Sequence, residues 1–320
     1  MIKPIGGYFE WEFPANIGMF PHSDGVLLNS GRHSLEYILR TLGQIKLLWI
    51  PYYTCDVVLQ PIERLGIPYS FYHINKDLAL VEDIELEVGE YLICTNYFGI
   101  MDEYCKKLAI RYGENLIFDY AQAFYAPNIE GINTFYSPRK FVGIPDGGIA
   151  YTNKSIDIEL QNDHSYGRCA HLLKRHDLQP MDGYNDFKDS SHQIASSCLS
   201  KMSNLTQKML SSLNYATIRE RRVTNFTFLH AHLSDSNLLQ IPSIESFSCP
   251  MVYPYQTNDT TLRARLIENQ VFVATYWPNV LEWCNEGDLE YELCKNIIPI
   301  PIDQRYGEED MKRVIEIIKQ

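Results

Sequence analysis

The sequence predicts an α/β fold with a mostly parallel central sheet flanked by helices, and a smaller α+β part at the C-terminus. Over roughly the first 155 residues, short apolar runs alternate with segments of helical periodicity, as parallel strands joined by helices do. The chain has 320 residues, of which 45% are hydrophobic, which is enough for a sizeable buried core. We expect a large domain over 21–224 and a small domain over 225–320, with residues 1–20 packing on the small domain.

The alternation locates the individual elements. The strands expected in the first part are 26–28, 45–50, 68–73, 91–95, 115–118, 132–136 and 148–152. The helices expected between them are 32–42, 55–65 and 103–112. Residues 160–190 are polar and predict a loop, and residues 191–233 predict one long helix. Beyond them we expect strands at 248–255, 270–275 and 297–300 and helices at 260–269 and 308–319.

The overall charge narrows the class of protein. A formal net charge of −12 argues against a nucleic-acid partner, which requires a basic surface. No stretch has the roughly 18 consecutive apolar residues of a membrane span, and the first 20 residues lack the layout of a signal peptide. The eight cysteines are therefore expected to be reduced thiols. We expect a cytoplasmic protein that binds small molecules.

Polar side chains follow three of the expected strands. Asp119 and Gln122 come after the run 115–118, Lys140 follows the run 132–136, and Ser30 and Gly31 stand where a helix begins after 26–28. The carboxyl ends of parallel strands meet at one edge of a sheet, so these groups should converge there. Taken singly, Asp119 could be a turn residue, Lys140 a solvated lysine and Ser30 a helix cap. Together, they are the amine, carboxylate and helix N-terminus that pyridoxal phosphate requires.

The motif Thr134–Gly148, which reads TFYSPRKFVGIPDGG, resembles the lysine motif of the DegT/DnrJ/EryC1/StrS aminotransferases. These are fold-type I pyridoxal-phosphate enzymes that act mainly on nucleotide-linked keto sugars. Further landmarks of the family stand in the same order over nearly the whole chain. They are Asn29-Ser30-Gly31, Pro51-Tyr52-Tyr53-Thr54, Asn96-Tyr97-Phe98-Gly99, Asp119-Tyr120-Ala121-Gln122 and Gly183-Tyr184-Asn185.

The resemblance implies a role for each matching residue. Lys140 would form the Schiff base and move the proton, Asp119 would pair with the pyridine nitrogen, and Gln122 would contact the ring hydroxyl side. Tyr53 would stack on the cofactor ring. The cofactor phosphate would be surrounded by Ser30, Gly31, Arg32 and Ser137. Asn185 would reach the site of a partner subunit, which implies a homodimer.

The activity implied is transfer of an amino group, from glutamate, to a nucleotide-linked keto sugar in polysaccharide or amino-sugar biosynthesis. The chain departs from the family where Arg32 replaces a threonine; an arginine could bind phosphate or face a substrate carboxylate. Phe187 and Lys188 stand where the family has Arg-Met, and the chain is shorter than most members. Two alternatives stay open: a pyridoxal-phosphate enzyme acting on a non-sugar ketone or amino acid, and a non-catalytic ligand-binding or regulatory protein.

Two further clusters of polar side chains occur between residues 160 and 180. The first could suggest a metal, but its spacing does not match structural zinc sites, so no metal is expected; it comprises His164, Cys169, His171 and His176. The second is basic and is either a solvated loop or a subsite for a substrate phosphate or carboxylate; it comprises Arg168, Lys174 and Arg175.

Overall fold

A seven-stranded sheet forms the centre of the computed structural model, which describes residues 7–14 and 18–320. Its strands are β1 (Val26–Leu28), β2 (Leu47–Pro51), β3 (Tyr69–Tyr72), β4 (Glu90–Thr95), β5 (Leu116–Tyr120), β6 (Asn133–Tyr136) and β7 (Gly148–Tyr151). Their spatial order is β1-β7-β6-β5-β4-β2-β3. Strand β7 is antiparallel to both neighbours, and all other pairs are parallel. Six strands therefore end at the same edge, as predicted for a mostly parallel sheet.

Helices cover both faces of this sheet. The first three are α1 (Gly31–Leu42), α2 (Leu59–Arg64) and α3 (Asp102–Tyr112), close to the predicted positions. Side chains alternate along β5, so Ile117 packs in the apolar layer of α1, whereas Leu116 and Phe118 pack in the layer on the other face. By the same alternation, Asp119 is on the α1 face of the sheet.

The segment after β7 differs from the prediction. It contains four helices: α4 (Ala170–Asp177), α5 (Tyr184–Ser196), α6 (Asn204–Ser211) and α7 (Tyr215–Leu233). The loop predicted for 160–190 and the single helix predicted for 191–233 are therefore wrong. Two capping side chains divide the long helix: Ser203 accepts a hydrogen bond from the N–H of Thr206, and Asn214 accepts one from Thr217.

The C-terminal part combines a small sheet with helices, which confirms the α+β prediction. Strands β8 (Val252–Gln256) and β9 (Ile297–Pro301) form an antiparallel pair. The helices are α8 (Leu262–Glu268), α9 (Val280–Trp283), α10 (Leu289–Asn296) and α11 (Glu308–Ile318). The strand predicted at 270–275 is wrong, because this segment has no ladder partner, and α9 and α10 were not predicted.

The described part of the N-terminal segment lies against residues that the sequence assigned to the large domain. The Phe20 ring lies 6.3 Å from that of Phe124 and 5.8 Å from that of Tyr215, and Glu10 forms an ion pair with Lys208. The expected packing of residues 1–20 on the small domain stays a prediction. The domain boundaries themselves remain a prediction.

Candidate functional site

Asp119 and Lys140 lie at the carboxyl edge of the sheet in very different surroundings. Asp119 is the next-to-last residue of β5 and is 6% exposed, and its Oδ1 accepts a hydrogen bond from the Ala121 N–H at 2.8 Å. Lys140 ends a single 3-10 turn after β6 and is exposed, with no ion pair or hydrogen bond of its side chain to any described residue. Burial raises the pKa of Asp119, and the positive charge of Lys140 opposes this. The edge thus holds a free amine within the field of a buried carboxylate.

Gln122 presents an unused donor at the same edge. Its Oε1 accepts a hydrogen bond from the backbone N–H of Phe98 at 2.7 Å, and its Nε2 is buried without a partner. Because a backbone N–H can only donate, the oxygen must be the atom that faces Phe98. The turn that holds it requires positive φ at Phe98 (57°) and at Gly99 (71°), where a Cβ would lie 2.7 Å from the Gln122 carbonyl oxygen. The buried amide N–H of Gln122 Nε2 is therefore available to donate a hydrogen bond to a ligand.

The N-terminus of α1 is held against the turn that carries Lys140. At Gly31, a Cβ would lie 3.1 Å from Ser137 Cβ and 3.4 Å from Ser137 Oγ. At Gly148, a Cβ would lie 2.2 Å from the Ser30 carbonyl carbon, so no side chain fits there. The two glycines allow this close approach, and the first N–H groups of α1, which have no intrahelical acceptors, come to lie beside the Ser137 hydroxyl. This arrangement is suited to an anion.

The hydroxyl of Ser30 is engaged inside the cap. His33 is fully buried, and its Nε2 lies 3.1 Å from the Ser197 carbonyl oxygen, which can only accept, so Nε2 carries the proton. Its Nδ1 must then accept the Ser30 Oγ–H at 2.8 Å. Burial lowers the pKa of His33 to about 4, which keeps the ring neutral at pH 7. The predicted phosphate contact of Ser30 is corrected in this respect: its hydroxyl proton is not free to donate to an anion.

Tyr53 is enclosed by other aromatic side chains. Its side chain is completely buried, with the ring centroid 5.4 Å from that of Tyr97 and 5.2 Å from that of Trp277. The neighbouring Tyr52 stacks on Phe71 at 4.7 Å. These contacts do not expose the Tyr53 ring, and its stacking on the cofactor stays a prediction.

Cys55 was not among the predicted site residues, yet it lies closer to the site than Tyr53. It is half-buried, and the charge of Lys140 acts on its thiol. Burial raises the pKa of Cys55 to about 11, so it stays a neutral thiol. Its position four residues after the end of β2 was the available signal.

Arg32 was predicted to lie at the cofactor phosphate, and Asn185 was predicted to reach the site of a partner subunit. Arg32 lies in the first turn of α1 and donates a hydrogen bond to Gln60 Oε1. Asn185 is in the first turn of α5 and is exposed, and the contacts within this chain do not bring it to Lys140. Its role in a partner's site stays a prediction.

A buried ion pair anchors the loop between Lys140 and β7. Asp146 is fully buried, and its Oδ2 accepts hydrogen bonds from Arg168 Nε at 3.0 Å and Nη2 at 2.5 Å. Arg168 also contacts Asp163 at 2.7 Å, and Lys174 pairs with a carboxylate of α5. Two residues of the basic cluster thus have carboxylate partners within the chain, and a subsite role of the cluster stays a prediction.

The described part of the chain contains neither a candidate metal site nor a helix that could span a membrane. Within residues 7–14 and 18–320, no group of three or more His, Cys, Asp or Glu side chains could hold a metal ion. Over the same residues, no helix is both long enough and apolar enough to cross a membrane.

The architecture is that of the fold-type I pyridoxal-phosphate transferases. No family model matches the sequence, and no curated protein matches it. Among solved structures, the sugar aminotransferase CalS13 from Micromonospora echinospora matches with a TM-score of 0.64 at 14% identity, over 94% of this chain and 88% of that chain. At this identity, the likeness establishes the fold, and it confirms the fold type that the sequence motifs implied.

Two more structures share the fold. DesI, solved in the presence of its TDP-sugar product, has a TM-score of 0.64 and 16% identity, over 92% of this chain and 79% of that chain. NtdA from Bacillus subtilis, solved with the bound cofactor PMP, has a TM-score of 0.62 and 14% identity, over 92% of this chain and 73% of that chain.

Proposed function

We propose that this protein is a pyridoxal 5′-phosphate-dependent aminotransferase that moves an amino group from glutamate to a nucleotide-linked keto sugar. The observation that carries the proposal is the unpaired, exposed amine of Lys140 beside the buried carboxylate of Asp119, at the ligand-binding edge of this fold. A fold alone does not define an activity, so the proposal rests on these side chains.

The residues present fit the cofactor. Asp119 would accept a hydrogen bond from the ring nitrogen, and the orphaned Nε2 of Gln122 would donate to the ring oxygen. The N-terminus of α1, brought beside Ser137 by Gly31, would receive the phosphate. When bound, the cofactor supplies an electron sink for the bonds at the substrate's amino-bearing carbon.

Each protein group then has a defined task. Lys140 Nζ would be the attachment point of the cofactor, and this exposed amine would also be the base that takes a proton from the substrate carbon and returns it. Asp119 is buried, so water does not screen its charge, and its carboxylate would keep the ring nitrogen of the cofactor protonated. Gln122 would donate one amide N–H to the cofactor ring.

The proposal extends to the substrates and the assembly. The sugar acceptor is supported by CalS13, described as a sugar aminotransferase, and by DesI, described with a TDP-sugar product. We place the activity in amino-sugar or polysaccharide biosynthesis in the cytoplasm, carried out by a homodimer in which Asn185 reaches the partner's site. The large part of the chain, 21–224, would bind the cofactor, and 225–320 would form the small domain.

A second candidate is a pyridoxal-phosphate enzyme for a non-sugar ketone or an amino acid. Arg32 favours it, because its guanidinium forms no ion pair with a described carboxylate and could pair with a carboxylate-bearing substrate.

The visible absorbance of the purified protein tests the proposal. With added pyridoxal phosphate we expect a yellow band, and glutamate should shift it to the band of the amine form. Subsequent addition of a nucleotide-linked keto sugar should restore the first band and yield an amino sugar detectable by mass spectrometry. A yellow band that is indifferent to glutamate would favour another donor or the second candidate. No band at all would contradict both.

A further inference from the structure

Arg139, which directly precedes Lys140, is a largely enclosed cation without a carboxylate partner. Its Nη2 donates to Ser191 Oγ at 3.3 Å, and its guanidinium lies 5.4 Å from the ring centroid of Phe187. No carboxylate of the described residues forms an ion pair with it, in contrast to Arg168, which has two. Burial lowers the pKa of Arg139 to about 10. The buried carboxylate of Asp146 attracts Arg139, but it is already paired with Arg168. A partly buried charge without a partner of its own is costly, which indicates that a ligand supplies one.

A second cation lies next to it. Arg32 has a neutral partner, the amide of Gln60, and forms no ion pair with any carboxylate that the structure describes. Burial lowers the pKa of Arg32, and its charge lowers that of Arg139 further. The two guanidinium groups repel each other. A ligand with more than one negative charge would neutralise both and remove this repulsion.

The two arginines belong to segments that pack against each other. Arg32 belongs to the first turn of α1, and Arg139 belongs to the turn that begins after Ser137, the residue against which Gly31 packs. The Ser137 hydroxyl makes no hydrogen bond to any described residue, whereas the Ser30 proton is taken by His33. Donors therefore come from the helix N-terminus, from Ser137 and from the two arginines.

We propose that Arg139 and Arg32 together form a two-guanidinium subsite for a phosphate monoester dianion, directly beside Lys140. The inference rests on the proposed function, because the phosphate is that of the cofactor. Each guanidinium offers paired N–H donors that match phosphate oxygens. The dianion would neutralise both cations, so the phosphate is held largely by side chains of one chain.

The test compares pyridoxal phosphate with pyridoxal, which lacks the phosphate, in equilibrium binding to the full-length protein. Arg139→Gln and Arg32→Gln should each weaken pyridoxal phosphate binding by about ten- to a hundredfold, the usual size of a charge-assisted hydrogen bond, and leave pyridoxal binding unchanged. Arg139→Lys should retain part of the affinity. Arg175→Gln is the control, because Arg175 is an exposed arginine of α4 outside the site.

Inorganic phosphate provides a probe that does not depend on the cofactor. It should raise the melting temperature of the cofactor-free wild type and of Arg175→Gln, but not of Arg139→Gln or Arg32→Gln. Equal loss of pyridoxal and pyridoxal phosphate binding would overturn the subsite in favour of a structural role. Unchanged pyridoxal phosphate binding with weaker substrate binding would assign the arginines to a substrate anion instead.

The same data separate the two proposals. If the wild type binds neither form of the cofactor, yet phosphate stabilises it through both arginines, the proposed function fails and the anion subsite stands. If the wild type gives the glutamate-sensitive band and the arginine variants bind pyridoxal phosphate normally, the subsite fails and the function stands.

Discussion

Asp119 and Lys140 are close enough for their charges to interact, but one is buried and the other is exposed. This difference suits their tasks. A carboxylate acts most strongly on a ring nitrogen where water does not screen it, and an amine must be accessible to exchange partners. The surroundings of the two residues, as much as their identity, support the proposed chemistry.

Replacing Asp119 by asparagine tests its role with little change in shape. The amide oxygen of Asp119→Asn can still accept the Ala121 N–H, so the variant should fold and give the yellow band. Turnover should fall by orders of magnitude, because a neutral amide cannot keep the ring nitrogen protonated. Single-turnover rates of the glutamate half-reaction provide the measurement. Rates near those of the wild type would refute the assignment.

His33 predicts a pH dependence of stability. Its pKa is lowered from 6.5 to about 4, so the folded protein holds it neutral while the unfolded chain binds a proton. The neutral His33 ring therefore costs no stability above pH 6.5. As the pH falls from 6.5 towards 4, protonation of the unfolded chain lowers the free energy of unfolding by about 3 kcal/mol. Urea unfolding of wild type and His33→Gln at several pH values should show a steeper acid loss in the wild type. Parallel curves would contradict the buried neutral ring.

At the scale of elements, the loop from Lys140 to β7 depends on one buried ion pair. Asp146→Asn would leave Arg168 without its buried counter-charge, and breaking such a pair costs roughly 3–5 kcal/mol. The free energy of unfolding should fall by about that amount. Asp163→Asn is the matched control, because Asp163 pairs with the same arginine but is more exposed. Equal, small losses in both variants would show that the Asp146 pair does not anchor the loop.

The sequence predicted the seven strands of the central sheet and the first three helices, because their apolar periodicity is set by burial on the sheet. It predicted one helix over 191–233 because apolar spacing continues through it, and the caps at Ser203 and Asn214 carried less weight than the spacing. The antiparallel direction of β7 was not predictable from periodicity, since both directions bury the same residues.

The site was predictable to the extent that its residues follow strands. Asp119, Gln122 and Lys140 were found in this way, and the structure brings them to one edge. The engaged hydroxyl of Ser30 and the enclosed ring of Tyr53 depend on contacts with residues far away in sequence, which no local pattern reveals. Arg139 was missed because its missing counter-charge becomes visible only in three dimensions.

At the scale of the whole molecule, α4, α5 and their connection expose apolar side chains that a second copy would cover. They are Leu173, Leu178, Met181, Tyr184 and Phe187. Asn185 lies among them, in the first turn of α5. This position supports the proposed homodimer, in which Asn185 would serve the partner's site.

Asn185→Ala tests that assembly. If the side chain contacts the cofactor of the partner, the variant should lose pyridoxal phosphate faster on dialysis while remaining a dimer in sedimentation analysis. Gln193→Ala is the control, because Gln193 is exposed on the same helix. Unchanged cofactor affinity would show that the contact is misplaced, and a monomeric wild type would contradict the homodimer.

The most direct test of the central claim is to locate the covalent bond between protein and cofactor. The protein is incubated with pyridoxal phosphate, treated with borohydride to make the bond permanent, digested, and analysed by mass spectrometry, with Lys140→Ala and the exposed Lys154→Ala in parallel. We predict one label per chain, on Lys140, retained in Lys154→Ala and absent from Lys140→Ala. A label on another lysine, or none, would contradict the assignment of this edge of the sheet as the active site.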